Sequence, residues 1–530
     1  MADQLFRRPN ILLLLSDEHG FRFAGHVPRD EGGEPVHTPT LDRLAGQGTR
    51  FTDAYCQMPL CTPSRMCMLT GLEARRCGAW WNDSVLRPEL QTLPGVLASA
   101  GYATCLVGKM HLGGSLQFAG FQHRPYGDLT GDAGHQWEPL GSPEVGHYEM
   151  RFRTAQAGVT EIPESLLQER VVSEETVSFI REHAHAQRDK PWFLCASFSR
   201  PHFPLTTPAR HYRRYWPRGV TRPRVGAGGD AYQHAMSVGM RKGFRVSEIS
   251  DEEMMHARAC YFANVTFLDE ILGDMLARLD CDGLLDNTII VYTSDHGEMV
   301  GEHGVWWKQG WYEGCARVPL IVSLPEQRRG TRSARVVRTP VGLIDLFPSL
   351  CSLAGADAPK DLDGYDLSQS VKGTAGAPER MVFCDNLMPR WGQGTEFRAI
   401  RWRNYKYVHF RSAPPLLFDL AADPGEQRNL ASDLPGPSAE ALKFLAGAAT
   451  DTMDFDAAER QRLERDGELK QRYALPGPKA RGNLYLMPSG RLVEADGVLQ
   501  SPTVVSEAPA EFFADWPGPV TGRTRTGENS

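Results

Sequence analysis

Two aspartates close apolar runs that lie far apart in the chain: Asp17 ends Asn10-Ile-Leu-Leu-Leu-Leu-Ser-Asp17, and Asp295 ends Thr288-Ile-Ile-Val-Tyr-Thr-Ser-Asp295. Such runs read as buried strands. As parallel neighbours they would bring both carboxylates to one edge, where hard oxygen ligands suit a divalent cation. The plainer alternative is a helix cap or a solvated turn. Cys61 offers a thiol, and Arg65 follows four residues later, about one helical turn. A helix starting at Cys61 would hold that guanidinium beside the sulfur. Lys109 and His111 alternate by two and share a face if residues 105–111 are extended. Taken alone, Cys61 could equally be a buried structural thiol. Cys56, Cys61, Cys67 and Cys77 lack the paired C-x-x-C spacing of a zinc site.

These side chains need a scaffold that delivers several chain segments to one place. Residues 192–198 and 318–323 read as further buried strands, and Phe262, Val265, Leu268, Leu272, Met275, Leu276 and Leu279 make one apolar helical stripe before the Asp295 strand. Short helices are expected over 40–45 and 93–100, each with a glycine stop. Strands alternating with helices give an α/β layer pattern. Beyond about residue 365 the texture turns loop-rich, with strand candidates at 397–402 and 406–410. The expected division is therefore a catalytic α/β domain over 1–371, a smaller α+β domain over 372–474 and a tail over 475–530. The tail is rich in Pro, Gly and Thr and reads as an extended or partly disordered arm, which leaves a homo-oligomer open. Residues 210–249 read as an irregular, arginine-rich surface insertion, the weightier alternative to a substrate lid.

The 530 residues are 41% hydrophobic and 23% charged, enough to bury a large core in two or more domains. A net charge of -7 opposes any general grip on nucleic acid or anionic membrane, so a positive site must be local. Neither a phosphate-cradling glycine loop nor a nucleic-acid module is recognisable. Near the start the longest aliphatic run is Ile11 to Leu15, against the roughly 20 residues a bilayer requires. Arg7, Arg8 and Pro9 lead directly into it, which reads as a mature, cytoplasmic start. The 11 cysteines, odd in number and scattered, read as mostly reduced thiols.

The segment Cys61-Thr-Pro-Ser-Arg-Met-Cys-Met-Leu-Thr-Gly71 matches C-x-P-S-R-x-x-x-x-T-G. With Thr38-Pro-Thr-Leu-Asp-Arg-Leu44, Phe51-Thr-Asp-Ala-Tyr55, Gly108-Lys-Met-His-Leu-Gly113, Pro201-His-Phe-Pro204 and Ser294-Asp-His-Gly-Glu298 following in order, the chain resembles the type I sulfatases over most of its length. The resemblance implies an alkaline-phosphatase-like αβα sandwich with a mixed, largely parallel central sheet and a smaller C-terminal α+β domain with an antiparallel sheet. It also implies hydrolysis of sulfate monoesters to inorganic sulfate and an alcohol. A maturation enzyme would oxidise Cys61 to formylglycine; one hydroxyl of its hydrate attacks sulfur and the other expels sulfate. By the same resemblance Lys109 meets the sulfate oxygens, His111 bonds the diol, and His202 contacts sulfate and leaving group. Lys308 is the second lysine, and either it or His202 supplies the proton. Arg65 would orient the diol and stabilise charge. His303 has no comparable support.

A cation would clamp the sulfate oxygens and lower the diol's pKa. Asp17, Glu18, Asp295 and His296, with the residue made from Cys61, are the expected ligands. Glu18 and His296 depart from the commonest family form, which has Asp or Gln at the first position and often Asn at the second. Calcium is the family's usual ion; an imidazole favours manganese more than an all-oxygen site would, and magnesium stays open. The stretch from Gly301 to Leu320 looks like the choline-sulfatase branch, in which Trp306, Trp307 and Asp385 could wall a quaternary ammonium, although core packing is the weightier account of the tryptophans. Two rival readings remain. One is a phosphonate monoester or phosphodiester hydrolase using the same formylglycine and metal. The other is a non-catalytic sulfate-ester binding protein with unmodified Cys61, which would not need so complete a set of nucleophile, metal and acid candidates.

Overall fold

Alternate residues of strand β1 (Asn10–Asp17) face two different cores. Ile11, Leu13 and Leu15 point into one and Leu12 and Leu14 into the other, so an uninterrupted aliphatic run is what a strand covered on both sides requires. The computed structural model describes residues 8–125, 152–155, 157–160, 164–432, 436, 438–474, 484–486 and 492–494. Within them β1 joins β2 (Thr49–Tyr55), β3 (Ala103–Gly108), β4 (Trp192–Pro201), β5 (Thr288–Ser294), β6 (Arg317–Ser323), β7 (Arg335–Val337) and β8 (Val341–Gly342). The order across the sheet is β8-β2-β6-β5-β1-β4-β3, with β7 also beside β2. Strand β6 runs against both neighbours, and all other pairings are parallel. The sheet is thus mixed and largely parallel, as expected.

Helices cover both faces. The expected short helices are α1 (Pro39–Gly46) and α3 (Leu93–Ser99), with α2 (Cys61–Thr70) between them. One face takes α2 and α6 (Leu346–Ala354). The other takes α1, α4 (Gln168–Ala186) and the C-terminal half of α5 (Asp251–Cys281), which buries Leu268, Leu272, Met275, Leu276 and Leu279. Helix α5 starts well before its apolar stripe because Ser250 caps it, accepting from the Glu253 N–H at 3.1 Å, and three acidic residues fill its first turn. Residues 210–249 are more ordered than expected: they include helical segments Gly229–Gln233 and Ala235–Gly243, held down by buried Met236 and Met240.

A second, four-stranded antiparallel sheet follows: β9 (Val382–Asn386), β10 (Phe397–Trp402), β11 (Tyr405–Phe410) and β12 (Leu416–Asp419). Phe397, Ala399, Val408, Phe410 and Phe418 pack into the large core, while Ile400, Tyr407 and Leu417 face α7 (Ala439–Thr452) through Leu445 and Ala449. Period-two alternation again divides the strands between two layers. The tail expected from residue 475 onward lies outside the described residues, apart from a strand pair, Leu484–Leu486 with Leu492–Glu494. Arg7 at the chain's start also lies outside them. No helix among the described residues is long and apolar enough to cross a membrane.

Candidate active site

Five strands bring their carboxyl ends to one edge of the central sheet, where open α/β sheets present their sites. Asp17 ends β1, Asp295 and His296 follow β5, His202 follows β4, Lys109 follows β3, and β2 leads through a short loop to Cys61 at the start of α2. Both aspartate tips therefore lie beside position 61, from opposite ends of the sequence.

The motif's letters explain the local geometry. Leu60 is extended (φ -151°, ψ 140°) and its carbonyl accepts from the Ser64 N–H at 2.9 Å, so the helix begins at Cys61. Pro63 sits in the first turn, where a missing N–H costs nothing. The Thr62 N–H donates to Asn82 Oδ1 at 3.2 Å, and Ser64 Oγ donates to the Asp295 carbonyl. At the other end Thr70 Oγ1 donates to the Met66 carbonyl at 2.7 Å, and Gly71 turns left-handed (φ 67°) to close the helix. A side chain at Gly71 would also meet the Phe347 ring at 3.0 Å.

Cys61 Sγ lies at the centre of the cluster. It lies 3.2 Å from His296 Nε2, 3.3 Å from Lys308 Nζ and 3.8 Å from Asp17 Oδ1. Burial alone would raise this thiol, yet Lys308, His296 and Lys109, with a hydrogen bond from His111, hold it well below its ordinary value. The start of α2 adds a positive helix end.

Arg65 is fully buried. Its Nε donates to Asp295 Oδ2 at 2.7 Å, its Nη2 to Asp17 Oδ2 at 3.0 Å, and its Nη1 to the Lys109 carbonyl at 2.6 Å and Ser197 Oγ at 3.0 Å. The guanidinium lies between the two carboxylates and fixes their separation, and its donors are spent on protein groups. Lys109 Nζ adds a 2.7 Å ion pair to Asp17 Oδ2. Burial and Cys61 push Asp17 up, but Lys109, His202 and Arg65 outweigh them and hold it well below the carboxylate range. The extended face expected for residues 105–111 is not formed: β3 stops at Gly108 and His111 is left-handed (φ 55°). His111 instead reaches Cys61 from this turn, and its carbonyl accepts from Thr62 Oγ1.

Asp17, Cys61, Asp295 and His296 each offer one ligand atom, all within 4.8 Å of one another, and Asp17, Glu18 and His202 form a second such group. The chemistry of this donor set fits a divalent cation. Glu18 supports the fit: it is left-handed (φ 65°) and buried, and neither carboxylate oxygen accepts a hydrogen bond, though Lys308 Nζ and His202 Nε2 stand 3.2 and 3.3 Å away. Burial raises Glu18 to about 7 against the pull of Lys308 and His202. His296 directs Nδ1 to the Gly297 carbonyl at 3.0 Å, leaving Nε2 for the cluster. Burial would lower its pKa, but Asp295, with Cys61, draws it up to about 9. These charges attract a cation of either kind, proton or metal.

His202 faces Glu18 and Asp17 through Nε2, while Nδ1 bonds the Phe203 carbonyl at 2.7 Å. Burial, with Lys109 and Lys308, lowers it to about 4, so it is neutral in the resting site. Lys308 loses by burial but is held above its ordinary value by Cys61 and Glu18.

Core packing, the weightier account of the tryptophans, is what the structure shows, and the alternative ammonium wall is not assembled. Trp306 and Trp307 are buried in the core, Trp307 packing on Phe244 at 4.9 Å. Asp385 is buried too, its carboxylate taken by Arg398 through bonds of 2.9 and 2.8 Å, so its charge is already matched. His303 is buried against Tyr312, at 4.4 Å between ring centres, outside the cluster. Sequence reasoning missed Asn82 and Ser197, which hold the helix start and Arg65; single polar residues in a loop and a strand give no sequence signal of that role. It also missed Arg153, whose guanidinium lies over the Phe203 ring.

One buried thiol ringed by cations, beside carboxylates whose donor atoms lie within 4.8 Å of one another, suits a hydrolase of the alkaline-phosphatase-like class. Comparison with known proteins agrees. The family described as Sulfatase matches residues 9–356, and one described as N-sulphoglucosamine sulphohydrolase, C-terminal, matches residues 301–440. A choline-sulfatase of Rhizobium meliloti (strain 1021) is 31% identical over 472 residues, covering 86% of this chain and 89% of its own. A phosphonate monoester hydrolase from Silicibacter pomeroyi shares the fold with a TM-score of 0.69 at 22% identity, covering 92% and 99% of the two chains. BT4656, solved in complex with its substrate D-glucosamine-2-N,6-O-disulfate, gives 0.66 at 22% identity, covering 87% and 99%. The chain belongs to the sulfatase family and is an enzyme, a sulfuric ester hydrolase.

Proposed function

We propose that a formylglycine-generating maturation enzyme oxidises Cys61, and that the mature site hydrolyses small sulfate monoesters with one divalent metal held by Asp17, Glu18, Asp295, His296 and the modified residue. The observation that carries this reading is the position of Cys61 Sγ at a helix start, within 3.8 Å of His296, Lys308 and Asp17. Hydrated formylglycine supplies a nucleophilic hydroxyl and, through its second hydroxyl, a way to release sulfate; the metal, which we take to be calcium, supplies charge neutralisation.

The chain's own residues do the rest. Arg65 is a positioning residue, because its guanidinium bonds Asp17, Asp295, the Lys109 carbonyl and Ser197. Lys109 and Lys308 provide fixed positive charge for the sulfate oxygens. The proton that the departing alkoxide needs is held at Lys308 Nζ, since His202 rests neutral and Lys308 rests charged. His111 and His202 orient the nucleophile and the ester from either side. The scattered, mostly buried thiols accord with a cytoplasmic setting.

Peptide mass spectrometry across Cys61, with rates on an aryl sulfate, choline sulfate and a phenylphosphonate ester, tests the proposal. Formylglycine at position 61 and a sulfate preference are expected. An unmodified thiol in active protein would defeat the mechanism, and a large phosphonate preference would reverse the assignment.

A further inference from the structure

Arg65, Arg200, Arg258 and Arg398, all buried, each have a carboxylate partner. Arg153 and Arg390, among the described residues, have none. Among the described residues, Arg153 stacks its guanidinium 3.5 Å from the Phe203 ring centre and 5.3 Å from that of Trp307, and it pairs with no acid. Arg390 lies over Trp391 at 4.6 Å and Trp81 at 5.2 Å, and its Nη1 donates only to neutral Gln309 Oε1, at 3.0 Å. Both guanidiniums cap one aromatic tier, in which Phe244 packs on Trp307 at 4.9 Å and on Trp391 at 4.6 Å.

That tier adjoins the reaction centre. Phe203 follows His202, and the Phe203 ring that carries Arg153 stands 5.9 Å from Lys308 Nζ. Trp81 precedes Asn82, which holds the start of α2. Exposure rises outward along this line: Cys61 and Lys308 are buried, Arg153 is partly exposed and Arg390 is exposed. A sulfate at Cys61 would therefore direct its alcohol half toward the two arginines. Burial, with Arg390 nearby, lowers Arg153 to about 10, which still leaves it charged at neutral pH. Glu18 and Glu298 draw it up from a distance, but neither makes an ion pair with it, so its partly buried guanidinium gains from an anion brought into contact. Guanidinium stacked on aromatic rings keeps its edge free for two parallel hydrogen bonds to a carboxylate or sulfate.

We infer that the alcohol half of the substrate carries a second anionic group, a carboxylate or a sulfate, which Arg153 and Arg390 bind. This rests on the sulfatase reading and refines it, in the opposite sense to a quaternary ammonium substrate.

The test uses phenyl sulfates whose para methylene carries a carboxylate, a sulfonate, a carboxamide or a trimethylammonium group. It is run on full-length, calcium-supplied enzyme with formylglycine verified by mass. We expect kcat/KM for an anionic arm to exceed that for the carboxamide by about tenfold, as one charge-assisted pair allows, and the ammonium arm to be poorest. Arg153→Met and Arg390→Met should bring the anion-to-amide ratio toward one, with Arg153→Lys retaining part of it. A merely structural role would lower all rates together and leave the ratio unmoved, which overturns the inference. Arg390→Gln, at the surface, serves if Arg153→Met does not fold. The better of the two anionic arms identifies the group as carboxylate-like or sulfate-like. An ammonium preference, or a ratio near one in the unaltered enzyme, overturns the inference and leaves the sulfatase reading standing. No turnover of any of the four esters overturns both.

Discussion

Replacing Arg65 by methionine removes the cation that separates two buried carboxylates while keeping a side chain of similar reach. The two ion pairs it would break measure 2.7 Å to Asp295 and 3.0 Å to Asp17. At an effective permittivity of about 20, unit charges about 3 Å apart attract by about 5 kcal/mol. The guanidinium's own desolvation offsets part of this, so breaking such a buried pair costs about 3–5 kcal/mol. Lys109 still faces Asp17 at 2.7 Å, while Asp295 keeps only the more distant His296 at 3.6 Å and bears most of the loss. Urea unfolding in EDTA should therefore show Arg65→Met less stable by about 3–5 kcal/mol. Calcium should restore more to the variant than to the unaltered protein, because a ligand bound only by the folded state at a hundred times its Kd adds about 2.7 kcal/mol and the carboxylates have lost one of their cations. A loss below about 1 kcal/mol in EDTA, or no differential gain with calcium, refutes the claim that Arg65 sets the carboxylate pair.

Cys61→Ala should abolish turnover with an unchanged near-ultraviolet spectrum; substantial activity in a purified sample would remove Cys61 as the nucleophile's precursor. Gly71→Ala should cost about 1–2 kcal/mol through its positive φ alone, and more through Phe347, read as a lowered denaturation midpoint. His303 is buried neutral: burial, with Arg22, Lys406 and Arg241, lowers it to about 3 from 6.5. The unfolded chain binds this proton below 6.5 and the folded one only near 3, so stability should fall as pH drops through that window, by about 1.4 kcal/mol per unit. His303→Gln should flatten the melting temperature between pH 6.5 and 4; an unchanged slope would show that other groups set it.

Strand tips were legible in the sequence because a doubly covered strand admits only apolar residues until it ends, so Asp17 and Asp295 announce themselves as the first charges after Leu15 and Val291. The nucleophile's segment was legible because each fixed letter answers a local demand, from the helix start to the left-handed Gly71. Strand β2 was harder to see. Its sequence Thr-Arg-Phe-Thr-Asp-Ala-Tyr mixes polar and apolar residues, and only its pairing with β6, β7 and β8 makes it a strand. Helix α4, with charged residues over much of its surface, lacks the clean stripe of α5. The fate of Asp385 was invisible for another reason: its partner Arg398 comes from the next strand of the second sheet, so its neutralisation is a property of strand register. The same holds for Arg153, whose stacking on Phe203 and Trp307 is a property of the folded chain alone.

Cys61 retains 1% of its exposure and lies under Lys308, His296 and the turn at His111. No oxidising enzyme could reach that sulfur once the chain has closed over it. On the proposed maturation, oxidation of Cys61 would therefore have to precede folding. In a host making this chain faster than it makes the oxidase, the surplus would be sound in architecture, normal in melting behaviour and permanently inert, and no later addition of oxidase to the folded protein would rescue it.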